Sequence, residues 1–426
     1  MKKLVALTLA LILAIGMVQI ASADEPTVIQ FWHSYGSGAN MEATDKVVAG
    51  FNELYKGKYE VVATFQGNYA ELLSKFMVAY PANENPTISI CDAPDSQQLI
   101  TYSMLENITA LDAADDEFDA NDFLDGFMNY GTAADGTVYA LPFARSTPLM
   151  YVNLDLVKQA YGEAIVPKTW DEFLAVAKAV RDNTDKEAFT CEISNWFYGN
   201  FVTAQGYQFL TDDGQGSMLA VDDAALKALE WWGMLKEEGL YAVPPLTSQG
   251  TWMLEEFYKG NIAILFQSTG NARNVAKNTE GKFEVAAGFL PAKARNAVST
   301  GGGNIVMFNN RSEAEKEAGW AFLKYATNLE NNAAFNEGTG YMLTHKDSAS
   351  LESVQKLWEE APMFKVAYDQ LQYVYDCYVS PYWAELNLEI VKTLQSFLQD
   401  GTMNAQQAYE EILFSCDTIL PNGNVK

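Results

Sequence analysis

Residues 28–65 read VIQFWHSYGSGANMEATDKVVAGFNELYKGKYEVVATF, and the periodicity of this stretch decides the fold class. Val28 to Phe31 is a short apolar run that reads as a buried strand. From Met41 to Tyr55 the residues Val47, Val48, Phe51 and Leu54 recur at helical intervals, which predicts a helix with one buried face. Tyr59 to Phe65 returns to β-branched residues at Val61, Val62 and Thr64 and reads as a second strand. Outward from there come a helix from Tyr69 to about Ala79, a strand from Thr87 to Cys91 and a helix from about Asp95 to Leu105. Strand and helix alternating at this spacing predict βαβ units, hence an α/β lobe with a largely parallel, covered sheet.

Val138 to Val152 is apolar and extended, broken by Pro142 and Pro148, and is expected to cross between lobes. A second α/β set follows. Thr169 opens a helix as N-cap with Glu172 completing a capping box, and Ala224–Glu238 and Trp252–Tyr258 are further helices. Ile262–Phe266, Val285–Leu290 and Ile305–Phe308 read as strands, the last preceded by Gly301-Gly302-Gly303. From Ser312 onward the reading is helical, over roughly 312–328, 330–337, 349–360, 384–399 and 404–415. Asp112 to Asp125 carries seven carboxylates but no calcium-loop spacing, and is read as a solvated surface segment.

The 426 residues suggest two or three domains, and 49% apolar content is enough for a full core. With 55 acids against 28 bases the net charge is −27, which excludes a polybasic nucleic-acid binder. Lys2 and Lys3, the apolar run Leu4–Ile20 and Ala21-Ser22-Ala23 form a cleavable signal peptide over residues 1–23. No cysteine lies near that cleavage point for lipid attachment, so the periplasm is the expected location. Cys91, Cys191, Cys377 and Cys416 lack C-x-x-C spacing, which argues against a zinc site. Cys377 with Cys416 is the favoured bridge, and four buried unpaired thiols is the alternative reading.

No nucleophile elbow, H-E-x-x-H pair or papain-like segment is present, so no catalytic residue, metal or cofactor is expected. The only histidines, His33 and His345, are read as hydrogen-bonded packing residues. Glu255-Glu256 and Glu359-Glu360 are helical neighbours that do not converge on one substrate atom. The glycine run lacks a following Lys-Ser/Thr and is no nucleotide loop, leaving a tight turn or a close backbone approach to a ligand. Aromatic residues make up 13%, and Trp196-Phe197-Tyr198 and Tyr382-Trp383, read as loop positions, offer flat faces of the kind a sugar site uses.

Six stretches carry a family resemblance: Phe31-Trp32-His33-Ser34, Gly67-Asn68-Tyr69, Pro142-Phe143 with Ser146-Thr147-Pro148, Pro167-Lys168-Thr169-Trp170, Phe257-Tyr258-x-Gly260 and Thr339-Gly340-Tyr341. Through them the mature chain resembles the extracellular solute-binding proteins of bacterial ABC importers, in the group serving sugars and glycerol phosphates. The resemblance implies a two-lobe α/β fold of the periplasmic-binding-protein type (type II), with ligand in a hinged cleft. The implied lobes are discontinuous, 24–143 plus 290–342 and 144–289 plus 343–426. It further implies no enzymatic activity, a monomer, and transmembrane permease subunits as partners.

Tyr69, Ser146, Ser268, Gly302 and Tyr341 match family contact positions, and Trp196 matches one of two cleft tryptophans, the second being replaced by Tyr198 or Gly199. The family's acidic contact falls at Ala93, beside Asp92. Its phosphate-pairing arginine falls near Asn387, with no Lys or Arg between Lys365 and Lys392. Arg145 could supply a charge to a phosphate from the other side, the other reading being a salt bridge or a sugar-hydroxyl donor. Trp196, Trp383, Asp92 and Asn387 suit a neutral carbohydrate, with sn-glycerol 3-phosphate or a glycerophosphodiester held by Arg145 as the alternative and a secreted glycosidase as a remote one.

Overall fold

Nine strands form two separate sheets in the computed structural model, which describes residues 25–375 and 378–425. The strands are β1 (Thr27–His33), β2 (Tyr59–Phe65), β3 (Ile88–Asp92), β4 (Ala140–Ser146), β5 (Pro148–Asn153), β6 (Glu187–Thr190), β7 (Ile262–Ser268), β8 (Val285–Gly288) and β9 (Gly301–Met307). The first sheet has the order β2-β1-β3-β9-β4 and the second β6-β7-β5-β8. The leader expected at 1–23, and Cys377 of the favoured bridge, lie outside the described residues. Cys91, Cys191 and Cys416 are buried free thiols. No helix among the described residues is long and apolar enough to cross a membrane.

In β1 alternation turns Ile29, Phe31 and His33 inward. Phe31 meets Phe322 of the helix Glu313–Thr327 edge-on at 5.2 Å, and Phe322 meets Phe51 of the helix Gly38–Leu54 at 5.2 Å. These rings clamp one face of the first sheet. The second sheet packs on the helix Trp170–Asn183 through Phe173, Phe189 and Phe266, with Trp170 stacked on Trp231 at 4.0 Å. The long tail helices Trp383–Leu398 and Ala405–Ile419 extend that core around Trp232.

The expected largely parallel sheet holds for strand direction in the first sheet, where β1, β2, β3 and β4 share one direction and β9 alone runs against them. In the second sheet only β6–β7 is parallel. The reason is connectivity: β9 returns from the other sheet and needs no βαβ crossover. The passage between sheets is also shorter than expected, a single residue, Thr147, between β4 and β5. Thr147 is fully buried and is fixed by Thr269 and Gln370.

Other local expectations shift. Gly301–Gly303 is not a turn before a strand but the opening of β9 itself. Trp196-Phe197-Tyr198 lies in a helix, Asn195–Ala204, not a loop. Trp383 likewise begins a helix. Thr169 does cap its helix, accepting from Glu172 N at 3.2 Å, but the Glu172 carboxylate accepts from Lys168 N at 2.7 Å and not from the cap. In the acidic segment Asp115 is tied to Trp320 and Lys324, at 2.8 and 2.6 Å.

Candidate functional site

The ends of β3, β4, β7 and β9 and the starts of two helices enclose a cavity of about 450 Å³ between the sheets. Nine of the ten residues singled out in the sequence line it: Tyr69, Asp92, Ser146, Trp196, Ser268, Gly302, Tyr341, Trp383 and Asn387. Its size lies in the range of small-molecule sites, about 300–1,000 Å³.

Arg145 is the tenth, and the structure places it elsewhere. Successive side chains of a strand point to opposite faces, so Ser146 toward the cavity turns Arg145 away. Arg145 is fully buried. Its Nε donates to Gly301 O at 3.0 Å, Nη1 to Phe127 O at 3.0 Å and Asn304 Oδ1 at 3.2 Å, and Nη2 to Thr300 Oγ1 at 2.8 Å. The guanidinium lies over the rings of Phe127 and Tyr130. These partners make it a strut joining β4 to β9, and it is not among the residues that line this cavity.

The glycine run explains the floor. Gly302 has φ +76°, and a Cβ there would come within 2.1 Å of Ala144 O. The register of β4 against β9 shifts beside it, between Pro142 and Ala144. Gly301 leaves room for the Trp196 indole, which a Cβ would meet at 3.1 Å. Trp196 Nε1 donates to Ser299 O at 3.3 Å, which fixes the indole against the strand.

The opposite wall is aromatic. Tyr378 stacks on Trp383 at 4.2 Å and 28°. Tyr198, offered by the sequence as a replacement for a second cleft tryptophan, is instead fully buried and donates to Ala225 O. Gly199 contributes indirectly, since a Cβ there would collide with the Tyr378 hydroxyl. From Trp383 the same helical stripe continues through Asn387, Val391 and Gln395, each four residues on and each lining the cavity.

Sequence reasoning missed Tyr378, Glu192, Ser194 and Asn195. Asn195 is 1% exposed, and neither amide atom of its side chain has a hydrogen-bond partner among the described residues. Ser194 Oγ is likewise without a partner among the described residues. Buried polar atoms of this kind are normally paired, and both residues line the cavity. Local sequence gives no sign of this, whereas the four-residue spacing from Trp383 was readable.

Asp92 and Glu192 supply the cavity's charge. Burial raises the Asp92 pKa, opposed by the Arg145 charge and by Ala93 N–H, which donates to Asp92 Oδ1 at 3.1 Å. Burial also raises Glu192. Behind Asp92, Asp95 is raised by burial and by its acidic neighbour. Among the described residues no Lys, Arg or His lines the cavity.

Both histidines lie away from this lining. His33 is buried and accepts from Tyr35 N through Nδ1, and His345 Nε2 sits 2.5 Å from Thr327 O. No cluster of three metal-ligating side chains occurs among the described residues.

Two sheets joined through a one-residue crossing, with a polar, aromatic-walled cavity between them, define a receptor for a small solute. The chain belongs to the bacterial extracellular solute-binding protein family, whose profile matches residues 46–365. It is a binding protein and not an enzyme. It is 24% identical over 373 residues to the sn-glycerol-3-phosphate-binding periplasmic protein UgpB of Escherichia coli O1:K1 / APEC, covering 84% of each chain. The fold is similar to the GacH receptor of Streptomyces glaucescens, solved unliganded and with acarbose, at TM-score 0.83 and 16% identity over 94% of this chain and all of that one. It is also similar to UgpB from Mycobacterium tuberculosis in complex with glycerophosphocholine, at TM-score 0.81 and 22% identity over 93% and 98% of the two chains.

Proposed function

We propose that the chain is the receptor of an ABC importer and captures a neutral carbohydrate, a mono- or oligosaccharide, in the cavity between its sheets. It is exported to the periplasm, acts there as a monomer, and delivers the sugar to transmembrane permease subunits. The lobes comprise residues 24–143 with 290–342 and 144–289 with 343–426, and the pairing of β4 with β9 through Ser146 supports extending the first segment to residue 146.

The observation that carries the carbohydrate reading is the lining. It offers indole and phenol faces, amides, hydroxyls and two carboxylates, but no basic side chain among the described residues. Carboxylates and amides hydrogen-bond sugar hydroxyls, and aromatic rings cover the apolar C–H faces. A phosphate monoester brings about −1.5 to −2 charges, which here would face Asp92 and Glu192 with no Arg or Lys to pair them. The second reading, glycerol 3-phosphate or a glycerophosphodiester, is favoured by the identity to UgpB. It would require Arg145 to leave four protein acceptors.

A thermal-shift screen of sugars, polyols, glycerol 3-phosphate and glycerophosphocholine, followed by calorimetry, tests this. A ligand at 100 times its Kd stabilises the fold by about 2.7 kcal/mol. A sugar is expected to do so, and Trp196→Ala to weaken it at least tenfold, or about 1.4 kcal/mol. Stabilisation by phosphate esters alone overturns the carbohydrate reading.

A further inference from the structure

Beyond Tyr69 and Tyr341 lies a second chamber, of about 460 Å³. Both tyrosines line it as well as the first cavity, so the two share a wall. One side is the loop Ser34–Asn40 after β1, together with Asn68. The other side comes from the helices Gln249–Tyr258 and Ala272–Thr279. We propose that this chamber seats further units of the same ligand, which makes the physiological ligand an oligosaccharide and not a single sugar. This rests on the carbohydrate reading of the first cavity.

The chemistry of the first cavity is repeated in the second. The lining again combines amides, hydroxyls, an aromatic ring (Tyr258) and one carboxylate (Glu255), and again holds no basic side chain among the described residues. A ligand with a phosphate at one end would give the two chambers different complements. A chain of like polar units gives them the same one. The Tyr35 and Tyr69 hydroxyls are buried with no hydrogen-bond partner among the described residues, so the wall offers polar groups to a polyhydroxyl chain that crosses it.

The chamber also holds polar groups in two different states. Asn274 is occupied, its Oδ1 accepting from Ala39 N at 3.1 Å, and Asn278 Nδ2 donates to Asn274 O at 2.8 Å. These bonds build the rim. Asn40 Oδ1, in contrast, is buried with no hydrogen-bond partner among the described residues. A buried acceptor left unpaired costs about 1–3 kcal/mol, a cost removed by a hydroxyl delivered from the ligand. Glu255 is exposed on the chamber wall. Neither residue belongs to the lining of the first cavity.

The test is calorimetry of the full mature chain against matched series: glucose, maltose and maltotriose; glucose, cellobiose and cellotriose; mannose and its β-1,4 dimer and trimer. In the series that binds, the dimer or trimer is expected to bind at least tenfold tighter than its monomer. Asn40→Ala and Glu255→Ala are expected to lower affinity for the longer sugar at least fivefold while leaving that of the monomer unchanged. A monomer as tight as its oligomers, or variants that weaken monomer and oligomer alike, or neither, overturns the proposal. If Trp196→Ala removes monosaccharide binding while no length preference exists, the carbohydrate reading stands and only this extension falls. If no sugar binds and glycerophosphocholine does, both fall.

Discussion

Replacing Arg145 with alanine separates a strut from a ligand contact. The side chain is fully buried and satisfies Gly301 O, Phe127 O, Asn304 Oδ1 and Thr300 Oγ1. A hydrogen bond to a charged group is worth about 1.5–3 kcal/mol, but such values do not add within one network. Truncation leaves these neutral acceptors buried and unsatisfied at about 1–3 kcal/mol each, and with incomplete additivity a total of about 3–5 kcal/mol is expected here. In a unit of 150–250 residues each kcal/mol lowers Tm by about 2–4 °C. Arg145→Ala should therefore melt roughly 6–20 °C below the parent without ligand. Arg145→Lys should fall between the two, because a point charge cannot serve a planar fork of acceptors. Scanning calorimetry of the unliganded proteins reads the shift. Calorimetric titration at a temperature where both variants are folded reads the affinity. An unliganded Tm within about 2 °C of the parent, together with at least a tenfold loss of ligand affinity, would refute the reasoning and return Arg145 to the cavity.

Two further perturbations follow from the same walls. Asp92 has its folded pKa raised, so the folded state holds its proton more tightly than the unfolded chain. Its contribution to stability is therefore present below the ordinary carboxylate value of about 3.9 and is lost as pH rises through the raised one. Asp92→Asn removes this loss, and its unliganded Tm minus that of the parent should grow as pH is raised from about 4.5 to 7. A flat difference across that range contradicts the assignment. At Gly302, φ +76° and the 2.1 Å approach to Ala144 O forbid a β-branched side chain. Gly302→Val should cost more than about 3 kcal/mol and yield a poorly soluble or strongly destabilised protein. A soluble variant melting with the parent would mean that β9 tolerates a different register.

How much of this was legible in the chain depends on the range of the interaction involved. The helix Tyr69–Ala79 appears with the expected bounds, because its apolar face and its Asn68–Glu71 capping box are local. The helix Ala224–Glu237 follows from its own periodicity in the same way. Asn195–Ala204 was missed as a helix because nine of its ten residues are buried, so no polar face marks the period. Tyr378 carried no signal, since its place on the wall comes from stacking on Trp383 and from the space left by Gly199.

Arg145 shows the same limit. Neighbouring Ser146 made it look like a site residue, and only the continuation of β4 through residue 146 reveals that the two point to opposite faces. The sequence alone determined the α/β class, the acidic surface and the residue types available to a ligand, because composition and short-range periodicity encode these directly. Only the tertiary structure decided strand direction, the single-residue crossing at Thr147 and which polar atoms remain unpaired. Those depend on contacts between segments as distant as Tyr69 and Asn387, which no local pattern records.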